Sequence, residues 1–200
     1  MQNTAVNKSI LTPVEFLNRS VLVYPEKVAV IHGDRRFTYR EFFERINRLA
    51  SALQQSGVAP GDKVAFICPN IPPMLEAHYA VPLIGAVLVS VNIRLSKSEV
   101  SYIINHSDSK MVFVDTEFAA LVDPQELENV ERFVNVCDTG KKAVLDGVDY
   151  EQFLETGSPD RVEMEVTDED QLLAINYTSS TTGKPKGGMH HHRGAYLNAI

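Results

Sequence analysis

Hydroxyl groups, glycines and lysines are concentrated in one short segment of the chain, residues 177–187. Its serine and threonine hydroxyls and its backbone N–H groups can bind phosphate oxygens, while its glycines allow close approach and its lysines supply positive charge. The segment therefore predicts a phosphate-binding loop. It is not a Walker loop, because Thr178 stands where that pattern needs its first Gly, and Pro185 follows Gly-Lys where the pattern needs Ser or Thr.

The same segment resembles the phosphate-binding signature of the adenylate-forming (AMP-binding) superfamily, usually written Thr-Ser-Gly-Thr-Thr-Gly-x-Pro-Lys-Gly. Ser180 replaces the first Gly of that signature, and His192 matches the His that ends the next segment in many of these enzymes. Residues 36–42 resemble the family's Thr-Tyr-x-Glu helix start, and residues 85–92 resemble its Gly-Ala strand. Within the superfamily, the chain resembles bacterial fatty-acyl-CoA and methylmercaptopropionate-CoA ligases.

The resemblance implies an ATP site and an acid–CoA ligase. In this chemistry a carboxylate, here expected to be a fatty acid, attacks the α-phosphate of MgATP, and the thiol of coenzyme A then displaces AMP from the acyl-adenylate. The ammonium of Lys186 would offset negative charge on the leaving pyrophosphate, and Thr178 would also lie near Mg²⁺. The positions that match the phosphate contacts are Thr178, Ser179, Ser180, Thr181, Thr182, Gly183 and Lys186.

Family members are much longer than this chain, and the resemblance places their catalytic residues beyond Ile200. The adenine and ribose site, the acidic Mg²⁺ ligand, the acyl pocket and a mobile C-terminal domain would all lie there. We therefore expect an N-terminal tail over residues 1–11 and an incomplete AMP-binding domain over residues 12–200, inactive by itself. The alternative is a truncated, non-catalytic product or a weak nucleotide-binding module that retains the loop.

Composition and charge restrict the class of protein. The chain has 200 residues, 44% of them hydrophobic and 22% charged, which is typical of a globular protein that buries a core. Its net charge of −7 argues against a nucleic-acid-binding surface. The most apolar stretch, residues 79–91, contains Pro82 and Gly85 and is shorter than the ~20 residues that span a bilayer. We expect a soluble, cytoplasmic protein without a secretory signal at residues 1–11.

The cysteines and histidines offer other kinds of site. Cys68 and Cys137 lie far apart without a paired spacing, which favours reduced thiols over a disulfide. Short His tracts such as residues 190–192 can bind zinc, but consecutive side chains point in different directions, which argues against a shared ion. His32, His78 and His106 are isolated, and we expect ordinary surface or core histidines.

Helix and strand patterns alternate along the chain, which predicts an α/β fold with a mainly parallel sheet layered with helices. This pattern agrees with the N-terminal part of the adenylate-forming enzyme fold. Thr12 with Pro13, Thr38 with Glu41, and Ser96 with Glu99 predict helix starts. Strands are predicted at residues 63–68, 86–91, 110–114 and 173–177, and a short helix at 150–154. The last strand would lead directly into the phosphate loop, and a helix would begin near His192.

Overall fold

A computed structural model describes residues 9–178 and 183–200. The predicted alternation of helices and strands is confirmed. The helices are α1 Val14–Val23, α2 Tyr39–Gln55, α3 Pro72–Leu83, α4 Lys97–His106, α5 Tyr150–Glu155 and α6 His192–Asn198. The strands are β1 Val28–His32, β2 Arg35–Thr38, β3 Lys63–Ile67, β4 Val87–Ser90, β5 Ser109–Asp115, β6 Arg132–Val136, β7 Val148–Asp149, β8 Leu172–Thr178 and β9 Lys186–His191.

One seven-stranded sheet organises the fold, with the strand order β7-β6-β5-β3-β4-β8-β9. Neighbouring strands from β7 to β8 pair in parallel, and β9 alone pairs antiparallel, with β8. The mainly parallel sheet predicted from the sequence is thus confirmed. Strands β1 and β2 form a separate antiparallel hairpin.

Both faces of the large sheet are covered by helices, which is why its central strands carry buried apolar residues on both faces. Alternate residues of a strand point to opposite faces, so Val64 and Phe66 pack on the side of α2, α3 and α5. Ala65 and Ile67 pack on the side of α4. The ring of Phe66 stacks on that of Phe113 from β5 at a centroid distance of 4.2 Å. These contacts fix the strand ends that build the candidate site.

Two of the three predicted helix starts are confirmed as capping boxes. The Thr38 side chain accepts from the backbone N–H of Glu41 while the Glu41 carboxylate accepts from that of Thr38, and Ser96 and Glu99 repeat the arrangement. The third predicted helix start, at Thr12 and Pro13, is also confirmed, since α1 begins at Val14, although Pro13 rather than Thr12 occupies the N-cap position and no capping box forms. The hydroxyl of the buried Thr12 accepts from the backbone N–H of Val14 at 3.3 Å and also lies 2.8 Å from Nδ1 of His192.

The sequence patterns missed the β1–β2 hairpin, β6, β7 and β9. Strand β9 has the sequence Lys-Gly-Gly-Met-His-His, which lacks an apolar alternation. It is a strand because its backbone pairs with β8 at the edge of the sheet, and such pairing depends on a distant partner. The short helix predicted near residue 150 is confirmed as α5.

A buried ion pair joins α2, α3 and α5. The Glu76 side chain is fully buried, and Arg45 Nε donates to its Oε1 at 2.6 Å while the Tyr150 hydroxyl donates to its Oε2 at 2.5 Å. Arg45 also donates to the exposed carboxylate of Glu151 at 2.7 Å. Burial lowers the pKa of Arg45, but these carboxylates outweigh burial and raise its pKa above the ordinary value. The guanidinium therefore stays charged and neutralises Glu76.

Candidate functional site

The predicted phosphate loop connects β8 to β9 at the edge of the sheet. In the register of this antiparallel pair, Thr178 lies opposite Lys186 and Tyr177 lies opposite Gly187. Thr178, Gly183 and Lys186 are exposed residues. Ser179, Ser180, Thr181 and Thr182 lie outside the described residues. The structure thus brings a hydroxyl group and an ammonium group of the predicted site to the same end of one hairpin.

A cavity of about 510 Å³ opens where the carboxyl ends of three parallel strands meet. Open α/β sheets bind ligands at this edge. The lining residues come from the end of β4, from the segments after β3 and β4, from the last residues of β8 and from α3: Cys68, Pro69, Asn70, Met74, His78, Ser90, Val91, Asn92, Ile93, Asn176 and Tyr177. The amide side chains of Asn70, Asn92 and Asn176 provide hydrogen-bonding groups in the lining of this cavity.

A second cavity, of about 570 Å³, lies between β8, β9 and α6. His78 and Asn176 line both cavities. Desolvation lowers the pKa of His78, so its imidazole is neutral at neutral pH and can accept one hydrogen bond and donate another. In the sequence His78 is an isolated histidine, and nothing in its spacing indicates that it lines two cavities. These cavities form between distant parts of the chain, since residues of both α3 and β8 line them.

The three consecutive histidines have three different environments. His190 is exposed, and Nδ1 of His191 accepts from the backbone N–H of Gly194 at 3.0 Å, which caps α6. His192 is fully buried, and its Nδ1 contacts the hydroxyl of Thr12. Among the residues described, no three His, Cys, Asp or Glu side chains group as metal ligands.

His192 should make stability depend on pH. Burial and the nearby His191 lower the pKa of His192 to about 4, and its Nε2 has no hydrogen-bond partner within residues 9–178 and 183–200. The unfolded chain, with an ordinary His pKa of about 6.5, binds the proton more readily. The contribution of His192 is therefore complete above about pH 6.5 and is lost as the pH falls towards 4, by up to about 3 kcal/mol.

This pH dependence can be measured by urea unfolding between pH 4 and 7. We expect His192→Asn to reduce the slope by the contribution of His192, because Asn places an amide near Thr12 and does not titrate, whereas the lowered pKa of His78 leaves a remaining slope. The exposed His190 offers the matched control, and His190→Gln should keep the slope of the unchanged protein. Equal slopes in the His192 variant and the unchanged protein would contradict the assignment.

Neither thiol is prepared for nucleophilic attack. Both cysteines are free, Cys68 is buried and Cys137 is partly buried. Burial raises the pKa of Cys68 far above its ordinary value, and it raises the pKa of Cys137 to about 11 with the help of Asp149. Both groups are thus protonated thiols at neutral pH.

In the described part of the chain, no helix is long and apolar enough to cross a membrane.

Comparison with known proteins agrees with the resemblance to the adenylate-forming superfamily. Residues 17–200 match the profile of the AMP-binding enzyme family. The acetate/butyrate–CoA ligase AAE7, peroxisomal, of Arabidopsis thaliana is 41% identical over 97% of this chain. The 4-hydroxybutyrate–CoA ligase 2 of Metallosphaera sedula is 40% identical over 96% of it. The chain spans 37% and 36% of the length of these relatives.

The fold has close matches among solved structures. The crystal structure of the anthranilate CoA ligase AuaEII in complex with anthranoyl-AMP superposes with a TM-score of 0.87. The match covers 94% of this chain and 36% of that protein, at 23% sequence identity. This similarity identifies the overall architecture of the described sheet and helices.

Proposed function

The chain belongs to the AMP-binding enzyme family, and we propose from this premise that it forms the phosphate-binding part of an AMP-forming acid–CoA ligase. One observation carries the proposal: Thr178 and Lys186 face each other across the hairpin at the carboxyl edge of a parallel sheet. That edge is where ligands bind in open α/β folds. The family membership supplies the reaction, and the hairpin supplies the place for the polyphosphate.

In this proposal, the loop binds the β- and γ-phosphates of ATP. Hydroxyl and backbone N–H groups of Thr178, Ser179, Ser180, Thr181, Thr182 and Gly183 would donate to phosphate oxygens, and the ammonium of Lys186 would stabilise the charge that develops on pyrophosphate. Such a donor set suits an anion. Thr178 would provide one hydroxyl oxygen to Mg²⁺. A hard cation of this kind takes about six oxygen ligands, so phosphate and water would supply the remaining ones. The bound ion would neutralise phosphate charge.

We propose a short-chain carboxylic acid as the substrate and coenzyme A as the acceptor. The support comes from the relatives named above, whose names contain acetate, butyrate and 4-hydroxybutyrate. Other relatives are named for benzoate and cinnamate, so a longer fatty acid or an aromatic acid is a competing outcome of the test. A cytoplasmic location stays a prediction, since several relatives from plants are named as peroxisomal.

The test is acid-dependent exchange of labelled pyrophosphate into ATP, run with a panel of short-chain, long-chain and aromatic acids. It should use both the 200-residue chain and the protein that includes any residues its reading frame encodes beyond Ile200. We expect exchange from the longer protein with a short-chain acid, and none from the chain alone. Absence of exchange from both proteins with every acid would contradict the proposed function. ATP binding without exchange would favour a nucleotide-binding module.

A further inference from the structure

The helix α4 contacts both ends of the predicted phosphate loop. Before the loop, the hydroxyl of Tyr177 lies 2.8 Å from Nδ1 of His106, and the two rings meet edge to face at a centroid distance of 5.7 Å. After the loop, Nζ of Lys184 lies 5.1 Å from the ring centre of Tyr102. Tyr102 and His106 are four residues apart on α4, which places them on the same face of the helix.

We propose that Tyr102 and His106 are positioning residues that fix Tyr177 and Lys184, the described residues at the two ends of the phosphate loop. The inference rests on the proposed function for what the loop binds. It goes beyond that function because neither residue belongs to the phosphate-binding signature. The two side chains contact each other at a ring-centroid distance of 5.2 Å, so they form one aromatic platform, here called the α4 platform.

The contacts of the α4 platform reach residues adjacent to the predicted ligand groups. Tyr177 directly precedes Thr178, and Lys184 is separated from Lys186 only by the buried Pro185. A shift of either end would change the distance between the Thr178 hydroxyl and the Lys186 ammonium. Binding groups that are held in place before the ligand arrives avoid an ordering cost, and a misplacement of about 1 Å can cost about a hundredfold in rate.

Two further observations support a fixed position for Tyr177. A Cβ at Gly187 would lie 3.2 Å from Cζ of Tyr177 and 2.9 Å from Cγ2 of Ile175, so the ring lies directly against the glycine backbone. Burial and the nearby Tyr102 raise the pKa of Tyr177, so its phenol is protonated at neutral pH and can donate to His106. The ring is thus held by β9 on one side and by α4 on the other.

Five variants test the platform with small changes, three that remove a contact and two that should preserve it. Tyr177→Phe removes only the hydroxyl that contacts His106, and Tyr102→Leu removes the aromatic face below Lys184. Tyr102→Phe is the matched control, because it keeps that face and removes a different hydroxyl. His106→Asn is the conservative rescue, since its amide can replace Nδ1 as a hydrogen-bonding group, whereas His106→Ala cannot make the contact.

The first readout is pyrophosphate exchange by the longer protein. We expect Tyr177→Phe, His106→Ala and Tyr102→Leu each to raise the KM for ATP about fivefold to tenfold with a smaller change in kcat, because ATP binding must then order the loop. Tyr102→Phe and His106→Asn should stay near the unchanged protein. The double variant Tyr177→Phe/His106→Ala should be no worse than the stronger single variant, because both remove the same contact.

The second readout does not need activity: hydrogen exchange of backbone amides in residues 183–191, measured on the 200-residue chain by mass spectrometry. We expect Tyr177→Phe and Tyr102→Leu to speed this exchange about tenfold while α2 and β3 are unaffected. Unchanged exchange in both variants, or equally faster exchange throughout the chain, would overturn the proposal. Because this readout is independent of chemistry, it decides on the platform even if pyrophosphate exchange fails and the proposed function falls.

Gly187 and Gly188 provide an independent pair of variants. A Cβ at Gly187 would press on Cγ2 of Ile175 and on the Tyr177 ring, whereas a Cβ at Gly188 meets nothing closer than 3.5 Å. Gly187→Ala should therefore reproduce the faster hydrogen exchange of Tyr177→Phe, and Gly188→Ala should leave it unchanged. If the two glycine variants behave alike, the position of the Tyr177 ring does not control the loop, and the proposal is wrong.

Discussion

Replacing Lys186 with Ala is expected to lower acid-dependent pyrophosphate exchange by the longer protein about a hundredfold in kcat/KM for ATP. Lys186 is the first residue of β9 and lies opposite Thr178. Its side chain is exposed, so its ammonium can contact a phosphate bound at this end of the hairpin. Removing a charged donor from a group on which negative charge develops removes stabilisation of the transition state. We expect a larger fall in kcat than rise in KM, because the charge of the leaving pyrophosphate grows during the reaction.

The control for this prediction is another exposed lysine. Lys142 lies in the connection after β6, and the strands β5, β3 and β4 separate β6 from β8 in the sheet. Lys142→Ala should leave exchange unchanged. Lys184→Ala should have an intermediate effect, because the α4 platform uses Lys184 to position the loop. A Lys186→Ala variant that retains full exchange would remove Lys186 from the site and would weaken the match between the loop and the family signature.

The sequence predicted those parts of the site that depend on local pattern. The hydroxyl-rich segment, the strand that leads into it and the helix near His192 are all readable within a few residues, because capping and alternation are short-range effects. Buried parallel strands are also readable, since both faces are apolar. This is why the sheet was predicted as mainly parallel and why β3, β4 and β5 were located.

Long-range contacts were not predictable in this way. His106 and Tyr177 are 71 positions apart, and their contact exists because α4 packs on the face of the sheet that carries the Tyr177 side chain. Strand β9 was missed for the same reason, as its pairing with β8 rather than its composition makes it a strand. In each case a distant partner overrides or replaces a local signal.

The second large effect is expected at the buried ion pair. Arg45→Met should lower the free energy of unfolding by about 3–5 kcal/mol, because it leaves the carboxylate of Glu76 buried without a cation. Met preserves much of the volume of the arginine stem, so the loss reports mainly the missing charge. The measurement is urea unfolding of the 200-residue chain at neutral pH. Arg40 provides the control, since it lies on the same helix as Arg45 but forms an exposed pair with Glu26 from the turn before β1, and Arg40→Met should change stability little.

A double-mutant cycle separates the charge from packing. Glu76→Leu removes the buried carboxylate, and Arg45 then keeps Glu151 as a partner at the surface. The double variant Arg45→Met/Glu76→Leu no longer buries an unpaired charge, so it should be more stable than Arg45→Met alone, although Tyr150 loses its acceptor. If Arg45→Met is no more destabilising than Arg40→Met, the buried Glu76 does not depend on Arg45, and the prediction is wrong.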